Sequence, residues 1–235
     1  MEHNKKERLV TAIENGTVID HIPSDKTYKV VNILHLDKLT TPVTIGNYYP
    51  SKRMGRKGII KVSDKFFTDE EISHFDNLRF GQDWGYTNAF AWVACNYQPK
   101  RKRLLIFDEI YKSHLTPSLA AQLVRQKDMH GEPIYADCED AAAIAQFNNE
   151  YGITTYPVKK GPDSRRFGYR WLQGLFEIVI DPRRCPNLAR EFQLMEYKQD
   201  RRTGQFLEDY PKEADHGIDA TRYAMENESM KLGLF

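Results

Sequence analysis

Apolar and polar positions alternate in short runs along most of the chain, and the spacing of those runs predicts strands and helices in turn. From Leu78 onward the pattern predicts three consecutive strands over residues 78–83, 89–97 and 103–111, with a basic hairpin turn between the last two. Further predicted strands at 133–137, 153–158 and 176–180 alternate with helices at 117–127, 141–151, 163–175, 186–197 and 216–226. This alternation predicts an α/β fold, a mixed sheet flanked by helices.

The residues before Leu78 follow a different pattern. Apolar, β-branched runs at 28–34, 41–49 and 58–62 predict strands, although the first run also fits a buried helix. Thr68 is the predicted N-cap of a short helix, with Glu71 as its partner in a capping box. The change of pattern predicts two domains, one over residues 1–75 and one over residues 76–235.

Composition limits the classes of function. The 235 residues carry a formal net charge of +1, so nucleic-acid binding would have to come from local basic patches. The three cysteines, Cys95, Cys138 and Cys185, form no CxxC pair, which argues against a disulfide framework or a zinc ribbon and fits a reducing cytoplasm. No run is apolar enough for a signal peptide or a membrane span, so we expect a cytoplasmic protein without a membrane partner.

Three separated aspartates carry the candidate chemistry. Asp83 ends the first strand after the predicted boundary, Asp137 ends the fourth, and Asp219 lies on the last helix, on the same face as His216. Neighbouring strand ends lie about 4.8 Å apart, so Asp83 and Asp137 can share a metal ion if their strands are adjacent. Carboxylates that meet raise each other's pKa, and a hard divalent cation relieves the repulsion. Taken singly, each aspartate is more typical of a turn or a helix cap.

The other acidic residues of these motifs are predicted to be structural. Glu139 and Asp140 are expected to cap the helix over residues 141–151, and Asp215 is expected to be the N-cap of the last helix. For Asp108 and Glu109, at the end of the third strand, a structural and a functional role both stay open.

The aspartates stand in motifs that resemble a known family. These motifs are Gly81-Gln82-Asp83-Trp84-Gly85-Tyr86, Ala136-Asp137, Lys159-Lys160-Gly161-Pro162-Asp163-Ser164 and His216-Gly217-Ile218-Asp219. Together they resemble the C-terminal nuclease domain of the tailed-phage terminase large subunit, over residues 76–227. The resemblance implies a ribonuclease H-like fold and a metal-dependent endonuclease that cuts double-stranded DNA during viral genome packaging in the host cytoplasm.

The same resemblance implies a catalytic set. Asp83, Asp137 and Asp219 would hold two Mg²⁺ or Mn²⁺ ions, with Asp83 as the bridging ligand and His216 as a further catalytic residue. Two such ions, about 3.5–4 Å apart, activate a water molecule and stabilise the leaving 3′-oxygen.

The loop before the helix at 163–175 is the predicted contact with the DNA phosphates. It would act through Lys159, Lys160 and Ser164, and a solvated turn is the alternative interpretation. Further implied partners are the terminase small subunit, the portal and a separate ATPase. A separate ATPase is expected because the sequence has no G-x-x-x-x-G-K-[ST] motif to power translocation.

The first third resembles a second family, the N-terminal allosteric domain of the aspartate carbamoyltransferase regulatory chain. The segments AIENGTVIDHIP, TIG and MGRKGIIK carry this resemblance over residues 9–71. It implies a partial α+β, ferredoxin-like segment that binds ATP, CTP or UTP. The implied nucleotide site consists of Val10, Ala12, Asp20, His21, Lys57 and Lys61. The alternative functions are therefore a regulatory chain of pyrimidine biosynthesis and an inactive fusion or remnant.

Overall fold

The structure is a computed structural model that describes residues 45–46, 60, 62–195, 200, 202–203 and 215–230. All of these residues belong to one of the two compact units into which the chain divides. The predicted strand at 28–34 and the six predicted nucleotide-site residues lie outside the described residues. In the described ranges, no helix is long and apolar enough to cross a membrane.

The described strands form one mixed sheet in the order β1-β2-β8-β5-β4-β3-β6-β7. They are β1 (Ile45–Gly46), β2 (Val62–Asp64), β3 (Leu78–Asp83), β4 (Phe90–Gln98), β5 (Arg103–Lys112), β6 (Ile134–Ala136), β7 (Thr155–Pro157) and β8 (Glu177–Ile180). The meander β3–β4–β5 is antiparallel, whereas β6 pairs in parallel with β3 and β8 pairs in parallel with β5. The mixed sheet predicted from the sequence is therefore confirmed.

Seven α-helices are described alongside the sheet. They are α1 (Asp69–Ser73), α2 (Pro117–Arg125), α3 (Ala141–Asn149), α4 (Ser164–Gln173), α5 (Pro186–Leu194), α6 (His216–Ala224) and α7 (Glu226–Met230). The predicted capping box of α1 is confirmed, because the Thr68 hydroxyl accepts from the Glu71 N–H and the Glu71 carboxylate accepts from the Thr68 N–H. The predicted last helix is instead two short helices, separated at Met225.

Two apolar layers cover the sheet, one on each face. Along β4, Ala91, Val93 and Cys95 pack in the cluster that includes side chains of α4, α5 and α6. Phe90 and Trp92, which alternate with these residues, pack in the cluster that includes side chains of α2 and α3. A strand that is buried on both faces has an almost continuous apolar sequence, and β4 does.

Residues 62–75 form part of this unit, although they precede the predicted boundary after residue 75. Strand β2 pairs in parallel with β8, and Phe67 is buried against Phe75. The Phe67 N–H also donates to Oδ2 of the fully buried Asp181 at 2.8 Å. The segment therefore extends the sheet, while the boundary itself stays a prediction.

Candidate active site

The strands that end in Asp83 and Asp137 are neighbours in the sheet. Strands β3 and β6 run parallel with Gln82 opposite Ala136, and the Asp137 N–H donates to the Gln82 carbonyl oxygen at 2.9 Å. Parallel strands present their carboxyl ends at the same edge of a sheet. The two aspartates therefore lie side by side, and each is only 8% exposed.

Helix α6 lies against β3 because Gly81 has no side chain. A Cβ atom at Gly81 would lie 1.8 Å from the Ala220 carbonyl oxygen and 2.6 Å from the Ala224 nitrogen. Only glycine permits this approach of two backbones. The approach brings His216 to the end of β3, where its Nδ1 lies 2.9 Å from Oδ2 of Asp83.

The electrostatics of Asp83 link the three aspartates. Burial raises the pKa of Asp83 to about 6, the hydrogen bond from His216 opposes this shift, and the charges of Asp219 and Asp137 add to it. The pKa of His216 is raised in turn, chiefly by its hydrogen bond to Asp83. Asp83, Asp137 and Asp219 thus interact as one acidic cluster at the end of the sheet.

Each aspartate of this cluster is also paired with a basic group. Asp83 pairs with His216, and Asp137 pairs with Lys160, whose Nζ lies 2.6 Å from Oδ1 and 2.8 Å from Oδ2. Asp219 Oδ1 lies 3.3 Å from Arg222 Nε, and Asp219 Oδ2 lies 3.8 Å from Arg165 Nε. Across the described part of the chain, no three His, Cys, Asp or Glu side chains stand in a metal-binding arrangement. In this structure the negative charge of the cluster is therefore neutralised by basic side chains.

Asp137 is held from several directions. Its Oδ2 accepts from the Tyr223 hydroxyl at 3.2 Å, and its carbonyl oxygen accepts from Trp84 Nε1 at 2.9 Å. Trp84 also packs edge-on against Phe147, so it anchors the end of β6 to α3. A cavity of about 360 Å³ is lined by Asp137 together with Trp84 and Glu139.

Comparison with known proteins decides the family. The model of the terminase RNase H-like domain matches residues 80–227, more than half of the chain. The chain belongs to the terminase RNase H-like domain family. It is 36% identical over 177 residues to the large terminase subunit of Bacillus phage SPP1, a match that covers 74% of this chain and 42% of that protein. The chain thus spans less than half of that relative.

Solved structures of terminase domains agree with this assignment. The nuclease domain of the SPP1 large terminase, crystallised with bound Mn, matches with a TM-score of 0.68 and 36% identity over 72% of this chain and 97% of that chain. The P22 large terminase nuclease domain matches with a TM-score of 0.50 and 17% identity, over 65% of this chain and 81% of that one, and shows the shared fold alone. The predicted ribonuclease H-like α/β fold is therefore confirmed.

The first third of the chain matches a different family. The model of the aspartate carbamoyltransferase regulatory chain, allosteric domain, matches residues 8–78. The regulatory chain of Phocaeicola vulgatus is 59% identical over 73 residues, which are 31% of this chain and 47% of that protein. The SPP1 match covers 74% of the 235 residues. It therefore begins before Lys65, even if it extends to the last residue. The two resemblances, both confirmed, therefore overlap in the segment that contains β2 and α1.

The predicted phosphate loop of the terminase domain lies beside the acidic cluster. The Lys159 N–H donates to Oε1 of Glu226 at 2.5 Å, and Ser164 begins α4 with its N–H directed to the Gly161 carbonyl oxygen. Lys160 lies on the carboxylates of Asp137 and Glu139. The loop thus brings Lys160 to the cluster, while its role in phosphate contact stays a prediction.

Three of the predicted caps have distinct outcomes. Asp140 caps α3, because its Oδ1 accepts from the Ala143 N–H at 2.9 Å. The prediction for Glu139 is wrong, because its carboxylate is bound by Lys160 at 2.7 Å and caps no helix. Asp215 occupies the N-cap position of α6, but its side chain accepts from Tyr169 and Arg165 instead of from the helix.

The two acidic residues that the sequence left open have structural partners. Asp108 forms a bidentate ion pair with Lys127, with both Nζ–O distances at 2.7 Å. Glu109 accepts from the backbone N–H groups of Asn187 and Leu188, so it caps the first turn of α5. Neither residue has a described contact with the acidic cluster.

Glu191 is a buried carboxylate that sequence reasoning missed. Its Oε2 accepts from the Ile218 N–H at 3.0 Å, and its Oε1 accepts from the Tyr111 hydroxyl at 2.7 Å. Burial raises the pKa of Glu191 to about 7. Glu191 thus holds the first turn of α6, the helix that carries His216 and Asp219. The sequence signal that could have identified Glu191 is its position next to the apolar residues of the amphipathic helix α5.

Proposed function

We propose that this chain is a divalent-metal-dependent endonuclease that cuts double-stranded DNA during viral genome packaging in the host cytoplasm. One observation carries the proposal. Asp83 and Asp137 end adjacent parallel strands beneath α6, which adds His216 and Asp219 to the same cluster. The Mn bound to the SPP1 nuclease domain supports the use of a divalent ion by this terminase domain.

The chemistry of these donors fits a divalent cation, although basic partners hold them apart from a ligand arrangement in this structure. Asp83, Asp137 and Asp219 supply carboxylate oxygens, which are the ligands that Mg²⁺ and Mn²⁺ prefer. The raised pKa of Asp83 reflects burial together with neighbouring negative charge, which a cation relieves. We propose that Asp83, Asp137 and Asp219 would hold two such ions when the site is loaded. Bound ions of this kind activate water and stabilise the charge of the leaving oxygen.

The remaining residues of the site have positioning roles in this proposal. His216 fixes the orientation of the Asp83 carboxylate, and Tyr223 fixes that of Asp137. The N-terminus of a helix such as α4 favours a phosphate through its partial positive charge. Lys159, Lys160 and Ser164 are therefore the proposed contacts with the DNA backbone.

The partners follow from the same proposal. Double-stranded DNA is the substrate, and the terminase small subunit, the portal and a separate ATPase are the proposed packaging components.

Cleavage of a plasmid tests the proposed function. The purified chain is incubated with supercoiled plasmid and either Mn²⁺ or Mg²⁺, and a parallel reaction contains excess chelator. We expect nicked and linear DNA only where free metal is present. Intact plasmid under every divalent metal would contradict the proposal and favour an inactive remnant.

The N-terminal match supports a second candidate function, a nucleotide-binding regulatory module for an aspartate carbamoyltransferase catalytic chain. The 59% identity to a regulatory chain is the observation that favours it. Val10, Ala12, Asp20, His21, Lys57 and Lys61 are the proposed nucleotide contacts. Calorimetric titration with CTP or ATP tests this function. Binding that is lost in Lys61→Ala is the expected result, and absence of heat in the unmodified chain is the opposing one.

A further inference from the structure

The ammonium of Lys160 lies against the carboxylate of Asp137, one of the three aspartates of the candidate site. Its Nζ lies 2.6 Å and 2.8 Å from the two carboxylate oxygens of Asp137, and 2.7 Å from Oε1 of Glu139. Asp137 Oδ1 also accepts from the Glu139 N–H, and Oδ2 also accepts from the Tyr223 hydroxyl. Lys160 and two fixed donors therefore use the lone pairs with which this carboxylate would bind a cation.

From this geometry we infer that Lys160 competes with the divalent cation for Asp137, so that metal binding displaces the lysine. The inference rests on the proposed metal-dependent function. A carboxylate that binds a metal through the same oxygens cannot keep a bidentate lysine partner. The metal must therefore replace the Lys160 ammonium before Asp137 can act as a ligand.

Lys160 is better placed to exchange than Arg222, the most deeply buried cation of the cluster. The Lys160 side chain is 26% exposed. The residue lies a few positions after the short strand β7 and next to Gly161. The Arg222 side chain is only 10% exposed, lies in the last turn of α6 and packs over the Tyr223 ring at 4.4 Å. A lysine carries a compact charge on a flexible stem and can move readily. A guanidinium that packs with its flat face on a ring is restricted in its orientation.

Displacement gives Lys160 a second position. The residue belongs to the Lys159–Ser164 loop, which we propose as the contact with the DNA backbone. Once released from Asp137, its ammonium is available to a phosphate oxygen that approaches the bound metal. The same side chain would thus neutralise Asp137 in the metal-free protein and the phosphate in the loaded one.

The Asp108–Lys127 pair provides a matched control for this exchange. It is also a bidentate lysine–aspartate pair, with a lysine side chain that is 28% exposed, but it lies on β5 and after α2, with no described contact to the cluster. Calorimetric titration of the full chain with Mn²⁺, without DNA, compares wild type, Lys160→Gln and Lys127→Gln. We expect Lys160→Gln to lower the Kd for Mn²⁺ about tenfold and Lys127→Gln to leave it unchanged.

A second measurement needs no variant. The wild-type chain is labelled briefly with an amine-acetylating reagent, with and without Mn²⁺, and the modification of each lysine is read by mass spectrometry. We expect Mn²⁺ to increase the labelling of Lys160 several-fold relative to Lys127. An unchanged or weaker Mn²⁺ affinity in Lys160→Gln overturns the inference but not the proposed function. So does Lys160 labelling that stays the same although Mn²⁺ binds. Absence of Mn²⁺ binding in wild type and both variants overturns the proposed metal dependence and the inference with it.

Discussion

Gly81 of β3 and Ala220 of α6 are in backbone contact: a Cβ atom at Gly81 would lie 1.8 Å from the Ala220 carbonyl oxygen. This contact sets the distance between the strand that ends in Asp83 and the helix that carries Asp219. Since backbone rather than a flexible side chain is in the way, no rotamer change can relieve a larger residue here. The glycine of the aspartate motif is therefore required by the geometry of the site.

Gly81→Ala is expected to destabilise the domain and to separate α6 from β3. We expect a loss of about 3 kcal/mol in the free energy of unfolding, since overpacking against fixed backbone costs about 1–3 kcal/mol or more. Urea denaturation followed by tryptophan fluorescence measures this loss. Gly161→Ala is the control, because a Cβ atom there meets no atom within 4 Å. Equal stabilities of the two variants would contradict the contact.

The adjacent pair Phe66 and Phe67 tests whether the segment before residue 76 belongs to the sheet unit. Phe67 is 2% exposed, whereas Phe66 is 43% exposed and lies under the Arg183 guanidinium. Phe67→Ala should lower the free energy of unfolding by about 3–4 kcal/mol, because it leaves a cavity in the core. Phe66→Ala should cost less than about 1 kcal/mol.

Tryptophan fluorescence is the appropriate probe for this pair. All three tryptophans, Trp84, Trp92 and Trp171, lie in the sheet unit. An unchanged fluorescence transition in Phe67→Ala would show that the segment contributes nothing to the stability of that unit.

Glu191 is expected to make the stability of the domain depend on pH. Its pKa is raised to about 7 in the folded protein by burial, above the value near 4.5 of a free glutamate. The folded state therefore binds this proton more tightly, so the stabilising contribution is complete below about pH 4.5 and is lost as pH rises to 7. Glu191→Gln should reduce the fall in unfolding free energy between pH 5 and pH 8 by roughly 2 kcal/mol.

Urea titrations at several pH values measure the effect, and Glu132→Gln, at an exposed position, is the control. The same pH dependence in wild type and Glu191→Gln would show that Glu191 does not titrate in this range.

Local sequence signals were sufficient for the elements that carry the site. The alternation of residues 78–83 predicted β3 with both ends correct, and the Thr68–Glu71 capping box depends only on residues within one turn. The families were also recognisable, because the motifs around Asp83, Asp137 and His216 are local strings.

Contacts between distant segments could not be predicted in the same way. The pairing of β3 with β6 depends on the order of strands in the sheet, which no local pattern specifies. Local sequence predicts a cap at Glu139, because its partner Lys160 is 21 residues away. Glu191 was missed for the same reason, since its partners Tyr111 and Ile218 are 80 and 27 residues away.

Substitution of Asp83 tests whether the acidic cluster is the active site. Supercoiled plasmid is incubated with Mn²⁺ and with wild type, Asp83→Asn or Asp108→Asn, where Asp108 is a partly buried aspartate paired with Lys127 outside the cluster. We expect Asp83→Asn to lower the cleavage rate at least about a hundredfold, while Asp108→Asn stays within a few-fold of wild type. Cleavage by Asp83→Asn at the wild-type rate would contradict the assignment of the active site.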